Sequence, residues 1–307
     1  MLKTDQISKY FHKEAVLKEI TLQCNKGEIL GVIGSHHAGK STLLRILSNV
    51  IQPDEGEITY EDTPFSKHLT KSIGFLPEFR MLYQKSKVLP FLKYFASLHG
   101  LSKNDAEIEA VRFLDRFNLI QYSQTPIEHL TQSDMQKLEL IATFIHNPEI
   151  VVLDEPFKGL DFNNQLILKS LLFSMKRMGK TIILSSHNID LIQQVSDNVF
   201  LLSDGKEILY GATEKILDDY SEDCVHLTYQ DTDHVTKYFG DLPEVRDFYR
   251  ENNCTTAYLH EGVSKQAFLA KVNQIILIER YEISKPSLRD IVLKIIPQDH
   301  FESSPHE

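Results

Sequence analysis

The sequence predicts an α/β protein: a mostly parallel sheet with a helical insertion, followed by a small α+β domain. Three observations lead to this prediction. Short apolar runs alternate with helical patterns, a purely helical stretch interrupts them, and a finer alternation of strands and helices follows near the end of the chain. Such alternation is typical of parallel sheets covered on both faces. The 307 residues suffice for one large and one smaller domain, and we predict domains at 1–218 and 219–307, with the insertion at about 85–147.

The first apolar run leads directly into a glycine loop. EILGVIG at 28–34 predicts a buried strand, since it contains β-branched residues and is bounded by glycine, and a helical pattern of apolar residues begins after Ser41. Between them, residues 34–41 match the spacing G-x-x-x-x-G-K-[ST]. In that pattern backbone N–H groups wrap phosphates at a helix N-terminus. The order of strand, loop and helix therefore predicts a phosphate-binding loop.

The candidate nucleotide contacts are the residues of this loop and of the helix start: Gly34, Ser35, His36, His37, Ala38, Gly39, Lys40, Ser41 and Thr42. We expect Lys40 to reach the β- and γ-phosphates and to act in catalysis, and the Ser41 hydroxyl to ligate Mg²⁺. The two adjacent histidines do not predict a metal site, because neighbouring loop side chains seldom converge on one ion and no third ligand is apparent. We interpret them as tolerated positions in a loop that binds through its backbone.

The helical insertion begins with two amphipathic segments, at 88–101 and 105–120. A third helix, SDMQKLELIATFIH, is predicted to start at Ser133. Further along the chain, NVFLLSDGKEILYG at 198–211 predicts a hairpin with a turn at Asp204 and Gly205. The last helix of the chain should open with a capping box, because Ser287 and Asp290 have that spacing.

Acidic residues follow a second buried strand. IVVLDEP at 150–156 is an apolar run that ends in Asp154 and Glu155. Because the carboxyl ends of parallel strands face the ligand crevice, both carboxylates should lie beside the phosphate loop. We predict that Asp154 holds Mg²⁺ through water and that Glu155 orients and polarises the attacking water. For an isolated pair of acids, capping of the next turn would be the preferred interpretation.

The next buried strand, KTIILSSH, ends at His187. This histidine should lie at the same edge of the sheet as the two acids. We predict that it contacts the γ-phosphate or the attacking water, and the alternative is a purely structural histidine.

Composition disfavours several other functions. The formal net charge of -10 and the pI of about 5.7 argue against a nucleic-acid partner and against an anionic membrane surface. The three cysteines, Cys24, Cys224 and Cys254, are too scattered to predict a disulfide framework or a zinc site, and they favour a reducing compartment. We expect no signal peptide, and no apolar run approaches the roughly 20 residues that cross a bilayer. Any membrane role should therefore come through a partner.

Together the motifs resemble those of ABC-type ATPases, the nucleotide-binding subunits of ATP-binding-cassette transporters. The resemblance covers residues 1 to about 215 and rests on six segments: the loop at 34–42, LPE at 76–78, LTQSDMQKL at 130–138, VVLDEP at 151–156, GLD at 159–161 and SSH at 185–187. It implies a P-loop NTPase fold of ABC type with ATP and Mg²⁺ as ligands. The ending PSLRDIVLKII is similar to that of ABC-2-type exporter ATPases.

The resemblance also implies several single residues and a partner. Glu78 stands where the family usually has a glutamine that links nucleotide, Mg²⁺ and membrane partner, and a carboxylate there can still ligate Mg²⁺. Phe11 corresponds best to an aromatic that stacks on adenine, with Tyr10 as the alternative and core packing as a third possibility. Asp161 occupies the D-loop position. The family docks a membrane permease at 78–98, where the candidate contact residues, or alternatively packing residues, are Phe79, Met81, Leu82 and Tyr83.

Family members work as head-to-tail dimers, in which ATP lies between one subunit's phosphate loop and the other's signature sequence, usually L-S-G-G-Q. The corresponding positions after Leu130 are Thr131, Gln132, Ser133 and Asp134. Thr131 keeps a hydroxyl for the γ-phosphate, but both glycines are lost, and Asp134 adds negative charge at a helix N-terminus that should face phosphate. His36 and His37 replace the usual Asn-Gly, so His37 should strain the loop.

The function implied is an ATPase subunit that powers a separate permease, most like an exporter, from the cytoplasmic face of the cell membrane. The subunit would pair with itself or with a related ABC ATPase. The alternative is a nucleotide-gated interaction module with little or no hydrolysis, which the altered signature favours and the intact Glu155 disfavours. A third hypothesis is a soluble ABC protein of DNA repair, translation or iron-sulfur assembly, against which the acidic balance, the single cassette and the exporter-like ending count.

Overall fold

The computed structural model describes residues 1–65, 71–78, 85–220, 224–229, 235–251, 253–260, 262–274 and 276–296, and the chain divides into two compact units, Met1–Ala212 and Thr213–Glu307. In the first unit the strands are β1 (Leu2–Phe11), β2 (Glu14–Cys24), β3 (Ile29–Gly34), β4 (Glu55–Tyr60), β5 (Thr63–Pro64), β6 (Ile73–Leu76), β7 (Ile150–Leu153), β8 (Thr181–Ser185), β9 (Asn198–Ser203) and β10 (Lys206–Ala212). Its helices are α1 (Lys40–Leu47), α2 (Val88–Leu98), α3 (Lys103–Arg116), α4 (Gln132–Phe144), α5 (Phe162–Arg177) and α6 (Ile189–Val195).

The main sheet of the first unit is mostly parallel, which confirms the predicted α/β class. In the described part of the chain its strand order is β10-β9-β3-β8-β7-β6, and only the hairpin pair β9 and β10 is antiparallel. Strands β3, β7 and β8 are buried along their whole length, as expected for parallel strands covered on both faces. Their carboxyl ends therefore bring Gly34, Leu153 and Ser185 to one edge of the sheet.

A second, antiparallel sheet in this unit was not predicted from the sequence. Its order is β2-β1-β4-β5, and β1 and β2 form a hairpin around His12 and Lys13, both with positive φ. The inward side chains of β1 and β2 join those of β3 and α1 in one hydrophobic core. Strand β2 also brings the Val16 carbonyl close to the glycine loop. A Cβ added at Gly39 would lie only 2.9 Å from that oxygen.

The predicted helical insertion consists of α2, α3 and α4. The start of α4 differs from the prediction by one residue: the helix begins at Gln132, and Thr131 rather than Ser133 is its N-cap. The Thr131 side chain accepts a hydrogen bond from the Asp134 N–H at 3.1 Å. Thr131 is the better cap because its extended backbone points the hydroxyl back at the first helical turn.

The second unit contains α7 (Thr213–Asp219), β11 (Cys224–Tyr229), α8 (Val235–Gly240), β12 (Val245–Glu251), β13 (Cys254–Leu259), α9 (Lys265–Val272), β14 (Ile278–Ser284) and α10 (Leu288–Ile295). Among the described residues its strands form one antiparallel sheet in the order β12-β13-β11-β14. Val225 and Leu227 of β11 pack with Phe239 and Phe268 in a core of its own. Helix α10 opens with the predicted capping box.

None of the helices formed by the described residues is both long enough and apolar enough to cross a membrane.

Candidate active site

The loop between β3 and α1 encloses the Lys40 side chain. Its Nζ donates hydrogen bonds to the carbonyl oxygens of Gly34 and Ser35, each at 2.8 Å, and the residue is only 7% exposed. Two glycines permit this tight course. A Cβ at Gly34 would lie 2.3 Å from the Leu202 carbonyl oxygen, and Gly39 has φ of +105°. The loop is therefore a ring of backbone closed around an ammonium group, with N–H groups at the start of α1 beyond it.

His37 carries the strain that its sequence position predicts. Its φ is +62°, in the left-handed region that favours glycine. For a side chain with a Cβ this conformation costs about 1–2 kcal/mol, which the neighbouring loop contacts must offset. His37 itself is exposed, so packing of its ring does not offset this conformational cost.

His36 makes a contact outside the loop. Its ring stacks on that of His187, with ring centroids 4.3 Å apart and planes inclined by 26°. This contact joins the phosphate loop to the residues that follow β8. The interpretation of both histidines as tolerated positions in a loop that binds through its backbone stays a prediction, to which the structure adds this ring contact of His36.

The two predicted acids lie beside the loop and are held by the neighbouring strands. Asp154 is 3% exposed and Glu155 is 5% exposed. Asp154 donates its N–H to the Leu76 carbonyl oxygen at 2.8 Å, and its Oδ1 accepts the Ser185 hydroxyl at 2.6 Å. The same Ser185 hydroxyl accepts the Glu155 N–H at 3.1 Å. Ser185 thus orients both acids, a role that the sequence analysis missed although the residue stands in the SSH segment.

Burial changes the acidity of Glu155. It raises the pKa of this carboxyl to about 7, against the opposing effects of the His187 backbone N–H and of the Lys40 charge. The Ser186 hydroxyl donates to Glu155 Oε2 at 3.4 Å. Burial also lowers the pKa of Lys40, while Glu155 and Asp154 act to raise it. A carboxyl with this pKa exchanges protons readily near neutral pH, as a general base should.

His187 lies next to Glu155 as a neutral ring. Burial, followed by the Lys40 charge and then His36, lowers the pKa of His187 to about 4. Its Nε2 is 3.6 Å from Glu155 Oε1, which is too long for a hydrogen bond. Because the imidazole is uncharged at neutral pH, this contact is a polar one rather than an ion pair.

Glu78 approaches the same edge from the segment after β6. It is half-buried, and its Oε1 accepts a hydrogen bond from Lys158 Nζ at 3.0 Å. The carbonyl oxygen of Lys158 in turn accepts a hydrogen bond from the Gln136 side chain of helix α4. The sequence analysis missed Lys158 and Gln136, because nothing local in the sequence marks a contact between α4 and the turn after β7.

Other predicted residues lie away from this cluster. Phe11 ends β1 with its ring 45% exposed and Lys9 Nζ at 5.7 Å from the ring centroid, while the Tyr10 hydroxyl donates to Glu55 at 3.4 Å. Asp161 is the N-cap of α5 and accepts the Asn164 N–H at 2.9 Å. The four apolar candidates for permease contact fall outside the described residues: Phe79, Met81, Leu82 and Tyr83.

The signature segment satisfies its own polar groups. The Thr131 hydroxyl donates to Asp134 Oδ2 at 2.8 Å in addition to capping α4. Asp134 Oδ1 pairs with Lys137 Nζ at 2.7 Å. The negative charge expected from Asp134 is thus offset by Lys137, and the hydroxyl expected to face a phosphate is engaged within its own helix turn. Gln132 and Ser133 form the first turn of α4 in the place of the two glycines.

The residues that meet at the sheet edge fit a nucleotide phosphate with a divalent cation. The loop offers backbone N–H groups at the N-terminus of α1 and a buried ammonium, a combination that suits an anion. Asp154 and Ser41 supply the oxygen ligands that Mg²⁺ prefers. Cβ atoms at Gly34 and Gly39 would meet neighbouring atoms at 2.3 and 2.9 Å, so the close course of the backbone is available to glycine alone.

Known proteins with similar sequences agree with this chemistry. The ABC transporter family model matches residues 17–158. An uncharacterized ABC transporter ATP-binding protein of Methanocaldococcus jannaschii is 38% identical over 215 residues, 70% of this chain and 79% of that protein. The uncharacterized ABC transporter ATP-binding protein YhaQ of Bacillus subtilis is 30% identical over 294 residues, 96% of this chain and 98% of that protein.

The fold is also similar to that of solved structures. A solved structure described as the ATP binding subunit of an ABC transporter aligns with a TM-score of 0.68 and 24% sequence identity. The alignment covers 72% of this chain and 93% of that chain. At this identity the likeness shows the fold.

The raised pKa of Glu155 predicts a pH-dependent stability difference. Its carboxyl has an ordinary pKa of 4.5 and a folded-state pKa of about 7, so protonation favours the folded state, and this contribution is lost as pH rises through about 7. Glu155→Gln removes the ionisation. We expect its Tm to exceed that of the wild type by more at about pH 8 than at about pH 5, measured by differential scanning calorimetry.

Glu57→Gln, at an exposed position in β4, is the matched control and should show no such change with pH. A Tm difference between Glu155→Gln and the wild type that stays constant across this range would contradict the assignment.

Proposed function

We propose a residue-level mechanism that follows from the family of this protein. The chain belongs to the family of ABC transporter ATP-binding proteins, to which it is related over nearly its whole length. As a member of that family it binds ATP and hydrolyses it to ADP and phosphate, coupled to transport by a membrane permease. The observation that carries the residue-level proposal is the meeting of Lys40, Asp154 and Glu155 at the carboxyl edge of the parallel sheet.

The loop at 34–42 binds the phosphates of ATP. Lys40, which pairs with two loop carbonyls, exchanges them for oxygens of the β- and γ-phosphates, where negative charge grows during transfer. Ser41 and Glu78, together with Asp154 through water, would hold Mg²⁺, which would neutralise part of that charge. The exposed Phe11 ring at the end of β1 supplies a stacking surface for adenine, with Tyr10 as the alternative.

Glu155 is the general base. Its carboxylate accepts a proton from the attacking water, and a pKa of about 7 suits proton transfer near neutral pH. Ser185 fixes the backbone of Glu155, and Ser186 approaches its carboxylate. The neutral His187 ring beside Glu155 contacts the water or the γ-phosphate without repelling Lys40, since it carries no charge at this pH.

The membrane partner is a multi-spanning permease, which retains the subunit at the cytoplasmic face of the membrane. The exporter-like ending at 286–296 supports outward transport. We assign the subunit to a head-to-tail dimer, formed by two copies of this chain or by this chain and a related ABC ATPase. Turnover is slow, because the catalytic acids and lysine are complete while the signature segment is altered. In a homodimer both sites would face the segment 131–134, whereas in a heterodimer the partner could supply an intact signature.

A second function is favoured by one observation. The Thr131 hydroxyl and the Asp134 carboxylate are both engaged within α4, so a dimer of this chain would present few donors to a γ-phosphate. This arrangement supports a nucleotide-gated module that binds ATP and signals to a membrane complex with negligible hydrolysis.

The role of Glu155 predicts the kinetics of Glu155→Gln. Loss of a general base lowers the rate by about 100-fold or more, and steady-state ATPase assays of the purified wild type and variant should show this loss. Binding of a fluorescent ATP analogue should be retained, since the substitution leaves Lys40 and the loop in place. The control variant Glu57→Gln should turn over like the wild type.

Two outcomes contradict the proposed enzyme mechanism. Turnover retained in Glu155→Gln would remove Glu155 as the base. Background rates in both proteins, with the ATP analogue still bound, would favour the nucleotide-gated module over the homodimeric ATPase.

The altered signature segment predicts that restoring the usual residues increases the ATPase rate. The triple variant Gln132→Gly, Ser133→Gly, Asp134→Gln restores the usual glycines and removes the acid. We expect its homodimer to hydrolyse ATP at least about tenfold faster than the wild type, because preorganised donors at a phosphate are worth that much or more. The same triple variant combined with Glu155→Gln should remain inactive. An unchanged rate in the triple variant, with ATP still bound, would contradict the homodimer and indicate that another subunit supplies the signature.

A further inference from the structure

Three side chains of the second unit form a cluster that the ATPase mechanism does not use. Cys224 and His226 lie two residues apart on β11 and therefore on the same face of the sheet, opposite to Val225 and Leu227, which enter the core. Asp290 reaches them from the first turn of α10. Cys224 is fully buried, Asp290 is 6% exposed, and His226 is partly buried.

The ligand atoms of this cluster are close enough to share one ion. Cys224 Sγ lies 3.2 Å from His226 Nε2, which lies 3.9 Å from Asp290 Oδ2, and all three atoms fall within 4.8 Å of one another. A tetrahedral zinc site with Zn–S near 2.3 Å and Zn–N and Zn–O near 2.1 Å has ligand atoms about 3.4–3.6 Å apart. The observed separations bracket that spacing, so small movements of side chains suffice.

We propose that Cys224, His226 and Asp290 bind a thiophilic divalent cation of the zinc class. Thiolate, imidazole and carboxylate together suit Zn²⁺ or Co²⁺ and disfavour Mg²⁺ and Ca²⁺, which take oxygen ligands. Three protein ligands leave a fourth position to water. The Ser284 hydroxyl lies 3.1 Å from His226 Nε2, and coordination of Nε2 would replace this contact. This site is separate from the ATPase residues, all of which belong to the first unit.

Neighbouring groups orient the ligands in the way that metal sites require. His226 Nδ1 lies 2.9 Å from the Thr256 hydroxyl, and donation of the Nδ1 proton to that oxygen leaves the Nε2 lone pair facing Cys224 and Asp290. Asp290 Oδ2 accepts the N–H and hydroxyl of Ser287 at 2.6 and 2.7 Å. Each carboxylate oxygen has about two acceptor positions, so coordination through Oδ2 would replace one of these two bonds, and the other would still orient the carboxylate.

The Tyr249 hydroxyl also donates to Asp290, at Oδ1. Burial and the Asp290 charge raise the pKa of Tyr249, so this phenol remains a hydrogen-bond donor and fixes the orientation of the Asp290 side chain.

The simplest competing explanation is a polar network without metal. The Cys224 thiol donates to the Ser284 carbonyl oxygen at 3.4 Å, a weak bond that coordination would replace. The thiol proton leaves for solvent when the ion binds, so affinity should increase with pH. A bound ion would link α10 to β11 and stabilise the second unit, because ligands far apart in the sequence constrain the unfolded chain most.

The test uses the full chain, stripped of metal with a chelator and titrated with Co²⁺ in the absence of nucleotide. We expect one equivalent of Co²⁺ to give the near-ultraviolet charge-transfer band of a thiolate ligand, and Zn²⁺ to displace it. Cys224→Ser should abolish the band, and His226→Gln should weaken Zn²⁺ binding by at least about 100-fold. Cys254→Ser, in the adjacent strand β13, is the matched control and should keep the wild-type band.

Two results would overturn the proposal. The first is a wild-type chain without a thiolate band at saturating Co²⁺, which would leave a polar network as the explanation. The second is a band that survives in both Cys224→Ser and His226→Gln. Wild-type spectra alone decide the first result, so the test holds even if a variant fails to fold.

Discussion

Lys40 lies inside its own loop with its ammonium bonded to two backbone carbonyls, and Asp154 and Glu155 stabilise its charge from the neighbouring strand ends. Removing charges from water costs several kcal/mol each, and the opposite charges of Lys40 and the two carboxylates offset part of that cost. The same desolvation raises the pKa of Glu155 to about 7 and lowers that of His187 to about 4. Desolvation therefore shifts both pKa values in the direction that favours the neutral form of each group.

The phosphate loop with its two acids is complete, whereas the signature segment is altered. Buried backbone and Ser185 position the loop and the acids. In the segment 131–134, by contrast, Thr131 caps α4 and bonds to Asp134, and Asp134 forms an ion pair with Lys137. In the proposed mechanism such a chain depends for its rate on what faces it across a dimer, and dimer closure is the step at which a permease or a second subunit would control turnover.

The structural features predicted correctly from the sequence depend on local patterns. The strand, loop and helix around 34–42, the position of the acids after β7 and the parallel sheet each follow from a short run of residues and the geometry of strand ends, whereas the roles of these residues toward ATP stay predictions. The antiparallel sheet of β1, β2 and β4 was missed, because β4 pairs with the distant β1 and the alternation of the β1–β2 hairpin is broken by bulges. The links from Lys158 to Glu78 and to Gln136 are equally non-local. Cysteine spacing argued against a zinc site, and it could not reveal that α10 brings Asp290 to Cys224 and His226.

The central claim is that a buried Glu155 acts as the base, and the pH dependence of kcat/KM for ATP hydrolysis tests it most directly. The ionised carboxylate is the active form, so kcat/KM should rise with pH, with an apparent pKa near 7, and level off above it. A profile that stays flat from about pH 5.5 to 8.5, or that falls as pH rises, would contradict this account.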